Sequence, residues 1–128
     1  MMKLGAGAMS VAITLIAVPS WGHHSHAMFD DKKTLVLAGT VKELQWTNPH
    51  SWLQVMVADE RGVAKEWSLE MGAPAAISRR GWKPKTLLPG DKVSVTIHPL
   101  KDGNPGGSLL AVKLPNGTVM GEDGGYNP

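Results

Sequence analysis

The sequence predicts an all-β fold: a five-stranded barrel of the OB type, with one short helix between the third and fourth strands. Three observations carry this. Five β-like runs with alternating apolar residues lie between Leu35 and Leu114, each bounded by Gly, Pro, Asn or Asp. A single helix signal interrupts them, after the third run. Cysteine is absent, so a small domain here needs a closed, well-packed core in place of disulfides.

The first run, Leu35 to Trp46, places Leu37 and Val41 on one face, then shifts parity to Leu44 and Trp46. A shift of one residue near Gly39 predicts a bulged and bent strand. Thr47-Asn48-Pro49 turns the chain into His50 to Ala58, where Leu53, Val55 and Val57 share a face. Asp59 to Gly62 closes a hairpin into Ala64 to Glu70, with Trp67 and Leu69 inward. Pro74 near the start and Gly81 past the end mark a helix over 73–80. Leu88-Pro89-Gly90-Asp91 then leads into Lys92 to His98, with Val93, Val95 and Ile97 inward. A Gly-rich loop at 101–107 precedes Ser108 to Leu114, where Leu110, Val112 and Leu114 alternate. The barrel domain is expected over 35–116, and a flexible tail over 117–128, which offers little to bury.

Residues 1–22 have the layout of a signal peptide. Lys3 supplies the charge, an apolar run extends to Val18, and Ser20 and Gly22 are the small residues ahead of a cut before His23. The apolar run is shorter than the ~20 residues of a membrane span, so no span is expected after processing. The expected location is the bacterial periplasm or the exterior. Without Lys3 the chain has twelve basic and eleven acidic side chains, a net charge of about +1, and no basic run. That balance argues against nucleic acid or an anionic membrane as partner.

Several motifs resemble those of an uncharacterised family of small exported bacterial proteins, a domain of unknown function with an OB-like fold. They are HHSHAMFD at His23 to Asp30, WTNPHSW at Trp46 to Trp52, WSLE at Trp67 to Glu70, RRGW at Arg79 to Trp82, and LPGDKVSV from Leu88. The resemblance spans nearly the whole chain after the leader. It implies the fold and an exported location, and implies no activity. Proteins of this kind commonly carry an apolar or aromatic residue where this chain has His26.

Cleavage before His23 would leave a free amine beside His23, His24 and His26, on an arm of residues 23–34. An amine with imidazoles is a nitrogen donor set for Cu(II), which favours tetragonal nitrogen sites and tops the divalent affinity order; zinc and nickel are alternatives. With antiparallel neighbours, the barrel gathers His50, Glu70 and His98 at one end, the end at which OB domains bind ligands. The expected metal ligands are therefore His23, His24, His50 and His98, with His26 and Glu70 as subsidiary donors. A different reading is a metal-free adaptor for an envelope protein or glycan. It would use Trp52 and Met56, which fall on the outward parity of the second strand. No nucleophile–base arrangement, phosphate-binding glycine loop or carboxylate pair stands out, so the residues favour a binding module over an enzyme.

Overall fold

A computed structural model describes residues 26–122. The signal-peptide expectation, together with His23 and His24, lies outside these residues. Five strands close into a barrel: β1 (Leu35–Gln45), β2 (Trp52–Ala58), β3 (Ala64–Glu70), β4 (Lys92–Pro99) and β5 (Gly106–Lys113). A short sixth strand, β6 (Val119–Gly121), lies outside the barrel against β5, and the helix α1 (Pro74–Ser78) falls between β3 and β4. The strand order is β3-β2-β1-β4-β5, closed by a β3–β5 pairing. That closing pair is parallel, which corrects the expectation of antiparallel neighbours throughout.

The parity shift in β1 is real. Pairing with β2 passes from Val41↔Val55 to Glu43↔Gln54, so Lys42 is the bulged residue. The bulge lets Leu37 and Val41 on one side of it, and Leu44 on the other, all pack against the core.

A second bulge went unread in the sequence. Between β4 and β5 the register passes from Thr96↔Ala111 to Ile97↔Leu109, leaving Leu110 as the extra residue. The core position belongs to Leu109, which is fully buried beside Val112, while Leu110 is half-buried. β5 also starts at Gly106, earlier than Ser108, because Gly106 and Gly107 pair with Ser68 and Leu69 at the barrel closure.

The helix is shorter than 73–80, yet its end is orderly. Trp82 N–H donates to Ile77 O and Gly81 N–H to Ser78 O, the two bonds of a Schellman turn, with Gly81 at φ +92°. Ile77 and Trp82 are both fully buried, supplying the apolar contact that accompanies this turn. Arg79 and Arg80 therefore belong to the cap.

Residues 119–122 are not a flexible tail. β6 pairs with β5, the Trp82 indole N–H donates to Gly121 O at 3.1 Å, and Glu122 Oε1 accepts the Gly72 N–H at 2.5 Å. Arg80 also donates to the Glu122 carbonyl. These bonds tie this strap to the chain on both sides of the helix, where Ile77 and Trp82 join the core.

Candidate functional site

The candidate site lies at the barrel end where β1 and β3 finish and β2 begins. The loop over 46–51 carries a cis Asn48–Pro49 peptide, and Thr47 Oγ1 donates to His50 O at 2.7 Å. Ser51 N–H donates to Gly72 O, and Met71 N–H to Ser51 O, which extends the β2–β3 ladder past both strand ends. His50 is thereby held beside the last residues of β3. Its Nδ1 lies 3.2 Å from Glu70 Oε1 and 3.0 Å from Met71 O. Glu70 is almost buried, whereas the His50 ring is about a third exposed, 37%.

Both neighbours of His50 Nδ1 are acceptors, so in the neutral ring Nδ1 carries the proton and Nε2 the lone pair. No described residue bonds Nε2. Glu70 acts on Nδ1, the position of a carboxylate that orients a histidine.

His98 repeats the pattern. Its Nδ1 lies 2.8 Å from Lys33 O, just before β1, which makes Nδ1 the donor; no bond to Nε2 is made among the described residues.

The register sets the distance between the two. Trp52 pairs with Glu70, Glu70 with Ser108, and Ser108 with His98, one row across β2, β3, β5 and β4. Their chain neighbours Leu53, Leu69, Leu109 and Ile97 are buried inside, so this row faces outward. Ser108 separates Glu70 from His98, and two strand spacings amount to ~10 Å of backbone. The structure thus joins His50 to Glu70 and leaves His98 apart, on the same end. Among the described residues, no three His, Asp or Glu side chains are grouped to hold a metal ion.

The described part of the arm is docked on the barrel. Phe29 bridges to Leu100 and is buried; Asp30 N–H donates to Pro99 O at 2.8 Å, and Lys101 N–H to Met28 O at 2.9 Å. The chain leading back to His26 therefore leaves the barrel beside the extension of β4, close to His98. His26 itself is exposed. The signal for this anchor was available: Phe29 is the only phenylalanine in the chain and stands in a polar segment.

Trp52 and Met56 face outward and are half-buried, with Gln54 between them. The Gln54 amide donates to Ser68 Oγ at 3.0 Å and Gln45 Oε1 at 3.3 Å, so a polar bridge divides the two apolar side chains. Trp46 and Trp67 pack partly buried against the core. Glu70 is paired with His50 and not with the arginines after the helix.

These features define a small closed β-barrel with a tethered imidazole–carboxylate pair at its loop end. By sequence the chain belongs to a family of unknown function, DUF6152, whose model matches residues 11–109. That match takes in β1 to β4, the helix and the start of β5. No curated protein and no solved structure matches it. No helix among the described residues is long and apolar enough to cross a membrane.

Proposed function

We propose that this protein is an exported OB-like binding module that takes up a transition-metal ion, Cu(II) foremost, with zinc or nickel as alternatives. The ligands are the amine and ring of a processed His23, with His24, His50 and His98 as further nitrogen donors. One observation carries the reading: His50 and His98, at one end of the barrel, both spend Nδ1 on a backbone carbonyl, which leaves Nε2 of each without a bond among the described residues. Metal-bound histidines have this arrangement, the second ring nitrogen fixed by a carbonyl or carboxylate. The docking of Met28 to Asp30 beside Leu100 supports it further, because it roots the histidine-bearing arm near His98. Glu70 serves to orient His50 rather than to ligate. Export is supported by the order of charge, apolar run and small residues in 1–22.

Cu(II) titration by calorimetry tests this on protein that begins at His23. One residue added ahead of His23 keeps every imidazole and displaces the amine, and should weaken binding most. His50→Asn and His98→Asn keep a donor for the same carbonyls and remove the ring, and each should weaken binding less. Affinity should fall as pH falls, since protons compete for every donor. If native and extended proteins titrate identically, the amine is not a ligand. If no metal binds at all, the metal-free adaptor working through Trp52 and Met56 takes its place.

A further inference from the structure

We infer a second ligand site, independent of metal: a cleft that takes a small planar carboxylate. It lies between the docked arm, the β4–β5 loop and Trp67 of β3, with a volume of about 240 Å³. That is smaller than the ~300–1,000 Å³ of sites for drug-sized ligands, so the occupant is small.

Its apolar wall is made by Trp67, Leu35 and Leu100. Trp67 points inward from β3, opposite Val55, yet remains half-buried because the β3–β5 pairing that closes the barrel begins only at Ser68. A half-covered indole flanked by two leucines offers a flat ring a stacking surface.

Lys33, Lys101, Asp30 and Asn104 complete the lining. The polar groups are not equally available. Asp30 Oδ1 accepts the Lys32 N–H at 3.2 Å, and the Asn104 amide donates to Asp102 Oδ2 at 3.0 Å. Each is engaged in its own turn. Lys33 and Lys101, by contrast, have no acidic partner within 4.0 Å among the described residues, where the ion pairs are Lys42–Glu66, His50–Glu70 and Arg61–Asp59. The cleft thus offers an apolar wall and two ammonium ions against the one carboxylate of Asp30, a net positive charge. An anion with a flat apolar body matches both, its ring against Trp67 and its carboxylate between the lysines.

The arrangement depends on the arm. Asp30 and Lys33 reach the cleft because Phe29 is buried against Leu100 and the Lys33 carbonyl is held by His98.

The test is a ¹⁵N-detected NMR titration of the protein in the presence of a chelator, with 2-naphthoate as probe. The neutral isostere 2-naphthalenemethanol is the control. The Trp67 indole N–H should shift saturably with naphthoate, while that of Trp82, buried, bonded to Gly121 O and not part of the cleft lining, stays still. The alcohol should bind about fivefold more weakly, as expected for losing two exposed charge contacts. Lys33→Met with Lys101→Met should bring naphthoate down to the affinity of the alcohol, and the amide spectrum shows directly that this variant is folded. The proposal is overturned if the Trp67 signal does not move. It is equally overturned if acid and alcohol bind alike, or if the double variant keeps its preference for the acid. Because metal is excluded, none of these outcomes bears on copper binding.

Discussion

Val95→Ala measures how much burial in the barrel core contributes to stability. Val95 is fully buried at the centre of β4, level with Leu37 on β1 and Val112 on β5. The change deletes two methyl groups, worth ~1.6 kcal/mol at ~0.8 kcal/mol per buried carbon. A void of a few tens of Å³ adds up to ~1 kcal/mol at ~24 cal/mol per Å³ if the walls do not relax. The expected loss is therefore about 2–3 kcal/mol, a drop in Tm of roughly 10–20 °C for a domain of this size. Val36→Ala is the matched control. It is the same substitution on the adjacent strand β1, but Val36 faces outward and is 66% exposed. Both variants lose the same preference of valine for strands, so their difference isolates burial. Val36→Ala should fall within ~0.5 kcal/mol of the parent. Urea unfolding with a shared slope provides the comparison. Equal losses in the two variants would refute the assignment of inside and outside on these strands.

Three further outcomes are expected. Ser51 is fully buried and its hydroxyl has no hydrogen-bond partner among the described residues, so Ser51→Ala should be neutral or stabilise by up to ~1–2 kcal/mol in the same assay; a loss above ~1 kcal/mol would mean the hydroxyl is satisfied by bound water. The hydrogen bond from Lys42 to Glu66, and the charge of that carboxylate, hold the Lys42 ammonium above its ordinary value of 10.5. A raised folded value means that the pair's contribution is complete below 10.5 and is lost as pH rises through the folded value, so the parent's Tm should fall more than that of Glu66→Gln over this alkaline range, and parallel curves would contradict it. Long-range ¹H–¹⁵N spectra of the metal-free protein should show His50 and His98 as Nδ1–H tautomers when neutral, and an Nε2–H form at either position would remove the lone pair offered there.

The parts of the fold that could be read from sequence are those where one face is buried over a regular stretch. Leu53, Val55 and Val57 in β2, and Val93, Val95 and Ile97 in β4, alternate without interruption and lie inside as their parity requires. The bulge in β1 was legible because apolar residues on either side of it reported the change of face. The bulge in β5 was not, because Leu109 and Leu110 are both leucines and either could fill the core position. β6 escaped because a strand of three residues carries no periodicity, and its stability comes from Trp82, Arg80 and Gly72 far away in sequence. Gly106 and Gly107 looked like loop for the reason that makes them strand here: at the parallel closure they lie against β3 with no side chain in the way. At the site, alternation and strand order correctly brought Glu70 to the end that carries His50. They could not give the spacing to His98, because Ser108 enters the row only through the parallel pair.

The two tethered imidazoles have a common origin in how sheets end. Inside a ladder every carbonyl has a strand partner, but the carbonyls just beyond it need other donors. Met71 follows the last residue of β3 and Lys33 precedes the first of β1, so both carbonyls lie just outside their strands. A histidine can satisfy such a carbonyl with Nδ1 and still turn its other nitrogen to solvent, which Asn, Ser or Lys cannot do with a second aromatic lone pair. His50 and His98 each fill this role, from the loop before β2 and from β4 respectively, at strand ends that the barrel closure places on one rim. As caps alone, the two rings would need only their Nδ1 protons. What distinguishes a binding end from a capped end is that Glu70, almost buried and outward on the same row, adds its charge to one of those tethers. A cap for a neutral carbonyl gains nothing specific from a carboxylate beside it, whereas a ring that must donate its Nε2 electrons becomes a better donor when Nδ1–H faces an anion. If the proposed metal site forms, that asymmetry would make His50 the stronger of the two barrel donors, with Glu70 tuning it through Nδ1.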